Sequence, residues 1–170
     1  MDRLSKERYY LEIAQAVSKR STCLKRRYGA VIVNNDEIIA TGYNGNPRGL
    51  QNCCDSGKCG RLDAPHNSGD YSDCHSVHAE QNAMLSAARK DMIGATLYLY
   101  GEETIGCSFK DGKITKSYFV DMYEGVEPCP ICTRMLLNSG IENVVVKNPT
   151  ELGFKCLDLK ELYKGYMEEK

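Results

Sequence analysis

Apolar residues at Leu4, Tyr9, Ile13, Ala16 and Val17 fall on one helical face with charges between them, which predicts a helix over Leu4–Val17. Two extended runs follow, GAVIVN at Gly29–Asn34 and EIIATG at Glu37–Gly42. The polar link Asn34-Asn35-Asp36 between them has the chemistry of a tight hairpin turn. From Gly42 to His75 the periodicity stops, and Gly, Asn, Asp, Cys and Pro dominate. A loop that long is functional or pinned, and the four cysteines inside it favour pinned. Ala79–Lys90 (AEQNAMLSAARK) reads as one helix and Ala95–Tyr100 (ATLYLY) as a third strand. Gly101–Glu127 is mixed, with a turn around Lys110-Asp111-Gly112-Lys113 that suits a hairpin. Pro130–Ser139 is a helix stopped by Gly140, and Asn143–Lys147 (NVVVK) is a fourth strand. A short strand near Phe154–Leu157 precedes a charged helix from Leu159 onward. Strands separated by helices after an opening hairpin predict an α/β fold, a three-layer α/β/α sandwich with a mixed central sheet, and 170 residues suit one domain.

Bulk composition changes this picture little. Apolar residues make up 42% and charged residues 26%, ordinary for a globular protein. The 22 basic and 23 acidic residues give a net charge of −1, so no nucleic-acid partner is expected from overall electrostatics. No apolar run approaches a membrane span, and Met1–Arg8 is too charged to open a signal peptide. The expectation is a cytoplasmic protein with no membrane partner. Cysteine is the outlier, with nine: Cys23, Cys53, Cys54, Cys59, Cys74, Cys107, Cys129, Cys132 and Cys156. Their odd number and clustering favour metal binding over a disulfide scaffold. Cys107 and Cys156 read as buried, inert thiols.

Two short pieces carry the chemistry, His78-Ala79-Glu80 and Pro128-Cys129-Pro130-Ile131-Cys132. Cys129 and Cys132 share one face of a helix, and Pro128 and Pro130 suit its entry and first turn, where no backbone donor is lost. Thiolates there also gain from the positive end of the helix. His78 likewise opens a helix. If the two helix starts meet, one imidazole and two thiolates make three zinc ligands and leave the fourth position for water, as in a catalytic rather than a closed structural site. Glu80 beside the metal can act as general base and then general acid, a role that coordination to zinc would block. Singly, each piece has an ordinary reading: a lone Cys-x-x-Cys is often structural or redox-active, and a lone His near a helix start is often only hydrogen-bonded. Together they match the H-x-E…P-C-x-x-C pattern of zinc-dependent deaminases.

The GYNG stretch, Gly42-Tyr43-Asn44-Gly45, follows a strand, where a loop can deliver Tyr43 and Asn44 to a pocket. Asn44 offers both a donor and an acceptor, although Asn and Gly also make simple turns. A phosphate wants Arg or Lys. Arg26, Arg27, Arg48 and Arg89 are the candidates, with solvated surface arginines the ordinary alternative and a subunit contact an equal use for Arg89.

Arg20–Gly29 (RSTCLKRRYG), Thr41–Gly49 (TGYNGNPRG), Cys53-Cys54-Asp55 and His78–Arg89 (HAEQNAMLSAAR) closely resemble the deoxycytidylate deaminase family, and the resemblance covers most of Leu11–Lys147. It implies the cytidine-deaminase-like fold, zinc at His78, Cys129 and Cys132, Glu80 as proton shuttle, Asn44 at the nucleotide, and conversion of dCMP to dUMP and ammonia. It also implies a homo-oligomer, commonly a hexamer, activated by dCTP and inhibited by dTTP in regulated members. Some members carry a second, structural zinc, and Cys23 and Cys53 match ligand positions of that site. Cys59 and Cys74 are the choices to complete it, with Cys54, His66 and His75 as substitutes and unpaired thiols as the plain alternative. Gly101–Glu127 departs from the family pattern: it separates the third strand from the Pro-Cys motif, as a cover for the pocket, a subunit contact or a surface elaboration. Other zinc deaminases, acting on free cytidine, cytosine, guanine, dCTP or tRNA adenosine, remain alternatives, as does a non-catalytic zinc module, which would have no need of Glu80.

Overall fold

The computed structural model describes residues 3–65, 72–122, 124, 126–148 and 153–168. Helix α1 (Lys6–Ser18) starts at Ser5, whose hydroxyl accepts from the Arg8 N–H at 3.3 Å. Its buried face is Tyr10, Leu11, Ala14 and Ser18; of the expected face Leu4, Tyr9, Ile13, Ala16 and Val17, Ile13 and Val17 pack against this core, whereas Leu4, Tyr9 and Ala16 are exposed. Tyr10 explains the difference. Its ring packs into the core while its hydroxyl donates to Asp36 Oδ1 at 2.8 Å, so an amphipathic side chain serves as an interior one.

Strands β1 (Arg26–Asn34) and β2 (Glu37–Tyr43) form the expected hairpin. Its two turn residues, Asn35 and Asp36, have φ of 48° and 69°, the left-handed pair that matches the twist of a two-residue turn. Among the described residues, the long loop contains a one-turn helix, α2 (Cys53–Ser56), and a bridge from Gly45 to Val77. The single helix expected over Ala79–Lys90 divides into α3 (Ala79–Leu85) and α4 (Arg89–Met92). Most residues there favour a helix, but α3 stops at Ser86, a weaker helix former, and the break lets Met92 join the core cluster that holds Met84.

Strand β3 (Thr96–Lys110) runs 15 residues, well past the expected end at Tyr100, and turns at Asp111-Gly112 into β4 (Lys113–Asp121). The segment Gly101–Glu127 is therefore largely a hairpin arm. It reaches the cysteine loop, where the Ile114 N–H donates to the Gly57 carbonyl at 2.8 Å. Helix α5 (Pro130–Ser139) ends at Gly140, whose φ of 96° only glycine adopts without strain. Strands β5 (Asn143–Lys147) and β6 (Phe154–Asp158) and helix α6 (Leu159–Glu168) complete the described chain. No described helix is long and apolar enough to cross a membrane.

The strands form one mixed sheet in the order β2-β1-β3-β5-β6, with β4 on the extension of β3. Only β3 and β5 pair in parallel. Alternation along the strands builds two cores. Val31, Val33, Tyr98, Tyr100 and Val145 face α1, whereas Ala30, Ile32, Leu97, Leu99, Val144 and Val146 face the other helices. The result is the expected α/β/α sandwich. At Gly42 a Cβ would lie 2.3 Å from both the Ala79 carbonyl oxygen and the Ala83 nitrogen, so glycine is what lets α3 press against β2. Gly42→Val should lower the unfolding free energy by about 1–3 kcal/mol through overpacking, and zinc retention should fall with it; an unchanged urea midpoint would contradict this seating of α3.

Candidate active site

Two helix starts meet at the centre of the site. His78 is the N-cap of α3, with Ala79 and Glu80 buried in the first turn. The Gln81 side chain accepts from the His78 backbone N–H at 2.9 Å, which fixes the chain at the point of entry. Cys129 is the N-cap of α5, and its sulfur accepts from the Cys132 N–H at 3.5 Å. Pro130 at the first helical position lacks a donor that the helix could not have used. Thr133 closes the turn by donating its hydroxyl to the carbonyls of Pro128 and Cys129 at 3.2 and 3.1 Å.

His78 Nδ1 lies 3.6 Å from Cys129 Sγ and 3.4 Å from Cys132 Sγ. Among the described residues, this is the one group of three His, Cys, Asp or Glu ligand atoms that lie within 4.8 Å of one another. Both cysteines are buried, and Glu80 is only 5% exposed. The Cys132 thiol and the His78 ring beside it hold Cys129 down at about 4, while the adjacent Cys129 sulfur and burial push Cys132 far above the usual thiol range. Contact with Cys129 raises His78, and burial raises the Glu80 carboxyl. One imidazole with two cysteine sulfurs beside a buried carboxylate is a donor set suited to zinc.

A cleft opens over this group. Arg26, Tyr28 and Asn44 line it, as do Cys23, Cys59 and Cys74 from the cysteine region and Glu127 from the end of the inserted segment. Asn44 reaches the cleft but is heavily engaged. Its Oδ1 accepts from the Tyr28 N–H at 2.8 Å and the Ser21 hydroxyl at 2.7 Å, and its Nδ2 donates to the Arg26 carbonyl at 2.9 Å. Tyr43 faces elsewhere, into a second, polar hollow shared with Arg20, Asn46, Arg48, Asn52 and Asn82.

The four candidate arginines thus separate. Arg26 is on the cleft wall, ion-paired to Glu103, with a buried Nε that has no acceptor among the described residues. Arg27, on the opposite face of β1, lies 3.9 Å from the Phe119 ring centroid. Arg48 belongs to the second hollow. Arg89 is exposed and donates to the Asn138 carbonyl at 3.3 Å. Strand alternation alone separates Arg26 from Arg27. Lys25, Arg61, Ser76 and Glu127 also line the cleft and carried no motif that singled them out. Lys25 Nζ donates to the carbonyls of Arg61, at 2.6 Å, and Ala64. Desolvation and the nearby Arg26 and Arg61 charges lower its pKa.

All nine cysteines are free. Burial, and then the neighbouring Cys23, Cys59 and Cys74, pushes Cys53 up to about 11. These four thiols are electrostatic neighbours, though no three of them approach within the spacing of the His78 group. Cys54 is exposed and turned to Asp55 Oδ1 at 3.5 Å, and His75 is exposed. His66 lies outside the described residues. Cys107 is half-buried against Ser117, and Cys156 is exposed on the edge strand β6, where the sequence reading had both buried.

A family model described as the cytidine and deoxycytidylate deaminase zinc-binding region matches residues 4–148. The deoxycytidylate deaminase of Schizosaccharomyces pombe is 43% identical over 115 residues, 67% of this chain and 35% of that protein, so the chain spans about a third of that relative's length. The deoxycytidylate deaminase of Mycobacterium phage D29 is 36% identical over 151 residues, 85% of this chain and 96% of that one. A crystal structure of dCMP deaminase from the cyanophage S-TIM5, in complex with dCMP and dUMP, shares the fold, with a TM-score of 0.56 and 23% identity over 96% of this chain and 94% of that chain.

Proposed function

The chain belongs to the cytidine and deoxycytidylate deaminase family, and from that premise we propose that it hydrolyses the exocyclic amine of a cytosine nucleotide, dCMP, giving dUMP and ammonia. The observation that carries the reading is the buried convergence of His78, Cys129 and Cys132 with a buried carboxylate, Glu80, two residues from the histidine. His78, Cys129 and Cys132 hold the catalytic zinc. Bound there, zinc supplies a Lewis acid that makes water nucleophilic near neutral pH.

Glu80 takes one proton from the attacking water and delivers it to the ring nitrogen, then takes the remaining proton of that oxygen as the carbonyl forms and passes it to the departing amine, which leaves as ammonia. Its burial suits it to hold that proton between the two transfers, because the neutral acid is the cheaper form in a dry site. Lys25, Arg26 and Arg61 form the cationic side of the cleft and take the 5′-phosphate. This distinguishes a nucleotide from a free nucleoside.

The same reading includes a homo-oligomer, commonly a hexamer, raised in activity by dCTP and lowered by dTTP. The hollow that holds Arg20, Tyr43 and Arg48 offers such an anion a place apart from the cleft. A reducing cytoplasmic setting accords with nine free thiols. A second, structural zinc is held by Cys23, Cys53, Cys59 and Cys74. Its support is the clustering of those thiols around a loop that lacks apolar periodicity, and Cys54 is the poorer ligand because it faces Asp55.

Two measurements test these assignments. Wild-type protein should deaminate dCMP in preference to cytidine, cytosine and guanine, and Glu80→Gln should keep zinc and fold while losing roughly 10²–10⁴-fold in kcat; near-normal turnover in that variant, or equal kcat/KM for cytidine and dCMP, would contradict the mechanism or the specificity. Metal analysis should find about two zinc ions per chain, falling towards one in Cys23→Ser/Cys53→Ser. A single zinc in fully active wild-type protein prepared without chelator would remove the second site.

A further inference from the structure

Glu127 stands immediately before Pro128-Cys129 and lines the cleft with His78, Glu80 and Cys129. Its residue borders both that cleft and the neighbouring hollow lined by Tyr166, and the mechanism above leaves its carboxylate without a task. No ion pair neutralises it among the described residues: Arg26 pairs with Glu103, and Lys25 donates to backbone carbonyls. Its partner is the Tyr166 hydroxyl, 3.3 Å from Oε1. That phenol has one proton to give, shared between Oε1 and the nearer Pro128 carbonyl at 2.8 Å, so α6 is fastened at the entry of the Pro-Cys motif. Glu127 Oε2 has no donor among the described residues.

A carboxylate oxygen accepts, so a ligand that engages Glu127 from the cleft brings it a donor in place of water. A deoxycytidine 5′-phosphate has few to offer. Its phosphate is an acceptor and is repelled by a carboxylate. The amine of the base belongs beside Glu80, where it leaves. The remaining donor is the one free sugar hydroxyl, at C3′. We infer that Glu127 recognises the 3′-hydroxyl of the nucleotide and that Tyr166 is the positioning residue that holds the carboxylate for it.

This rests on the deaminase reading and deepens it, since the nucleotide is then oriented at three points. The phosphate goes to the Lys25, Arg26 and Arg61 side, the amine to Glu80, and the 3′-hydroxyl to Glu127. A 3′-phosphate or a continuing polynucleotide would meet the carboxylate with its own negative charge, so the cleft selects a free mononucleotide. The C-terminal helix thereby takes part in substrate selection without touching the substrate.

The test compares dCMP with 2′,3′-dideoxycytidine 5′-monophosphate, which differs only in lacking that hydroxyl, as substrates of the zinc-loaded full chain. Wild type should favour dCMP by roughly 10- to 100-fold in kcat/KM, the range for a hydrogen bond to a charged group. Glu127→Ala should raise KM for dCMP far more than it lowers kcat and bring the ratio close to one. Tyr166→Phe, which keeps the ring packing, should lower the ratio about 3- to 10-fold with zinc content and circular dichroism unchanged. A wild-type ratio near one overturns the inference without recourse to any variant. So does a Glu127→Ala protein that loses activity equally on both substrates, the mark of a structural role. Failure of wild type to deaminate either nucleotide would instead overturn the deaminase reading, and this inference with it.

Discussion

The structure depends on the meeting of two helix starts. It draws two cysteine sulfurs, an imidazole and the first-turn carboxylate of α3 together inside the protein. Cys129 and Cys132 stand at the positive end of α5, which favours thiolate there. The topology explains why the helix starts coincide. Strand β1 is antiparallel to both β2 and β3, so β2 and β3 point the same way. Helix α3 follows β2, and α5 follows β4, whose last residue Asp121 returns to pair with Glu102 of β3, so both helices begin at the same end of the sheet. Gly29 and Gly42 then let α1 and α3 approach opposite faces at close range.

Much of this was legible in the sequence, because the decisive groups are local. His78-Ala79-Glu80 and Pro128–Cys132 each sit at a helix entry whose caps are written within a few residues, and GAVIVN reads as a strand buried on both faces. What the sequence hid depended on distant partners. The break after Leu85 falls at Ser86, inside an otherwise helix-favouring run. Beyond Leu99, β3 loses β5 as a neighbour and is continued by β4, a pairing that no periodicity announces. Asn44 is bound to the β1 backbone through both ends of its amide, which its place in a GYNG turn does not disclose. Arg26 and Arg27 differ in role only because a strand turns successive side chains to opposite faces.

The hairpin arm, the departure from the family pattern, has a definite mechanical place. Its β4 strand hydrogen-bonds the Gly57 turn, and its β3 strand joins Lys25 and Arg26 through the Thr104 N–H to the Lys25 carbonyl and the Arg26–Glu103 pair. The cysteine loop and the cationic wall of the cleft are thus braced by the same arm. Its end, at Glu127, is the part that lines the cleft. On the other side, Tyr166 ties α6 to the Pro128 carbonyl, so the site is held from both ends of the chain's second half.

The central claim is that the His78, Cys129 and Cys132 group holds zinc with a position left open beside Glu80. Anomalous scattering from a crystal, measured on either side of the zinc absorption edge, tests it most directly. The account predicts a zinc peak within about 2.0–2.3 Å of His78 Nδ1, Cys129 Sγ and Cys132 Sγ, with the Glu80 carboxylate not coordinated. A zinc-replete crystal with no peak between those three atoms, or with Glu80 completing a closed four-ligand site, would contradict it.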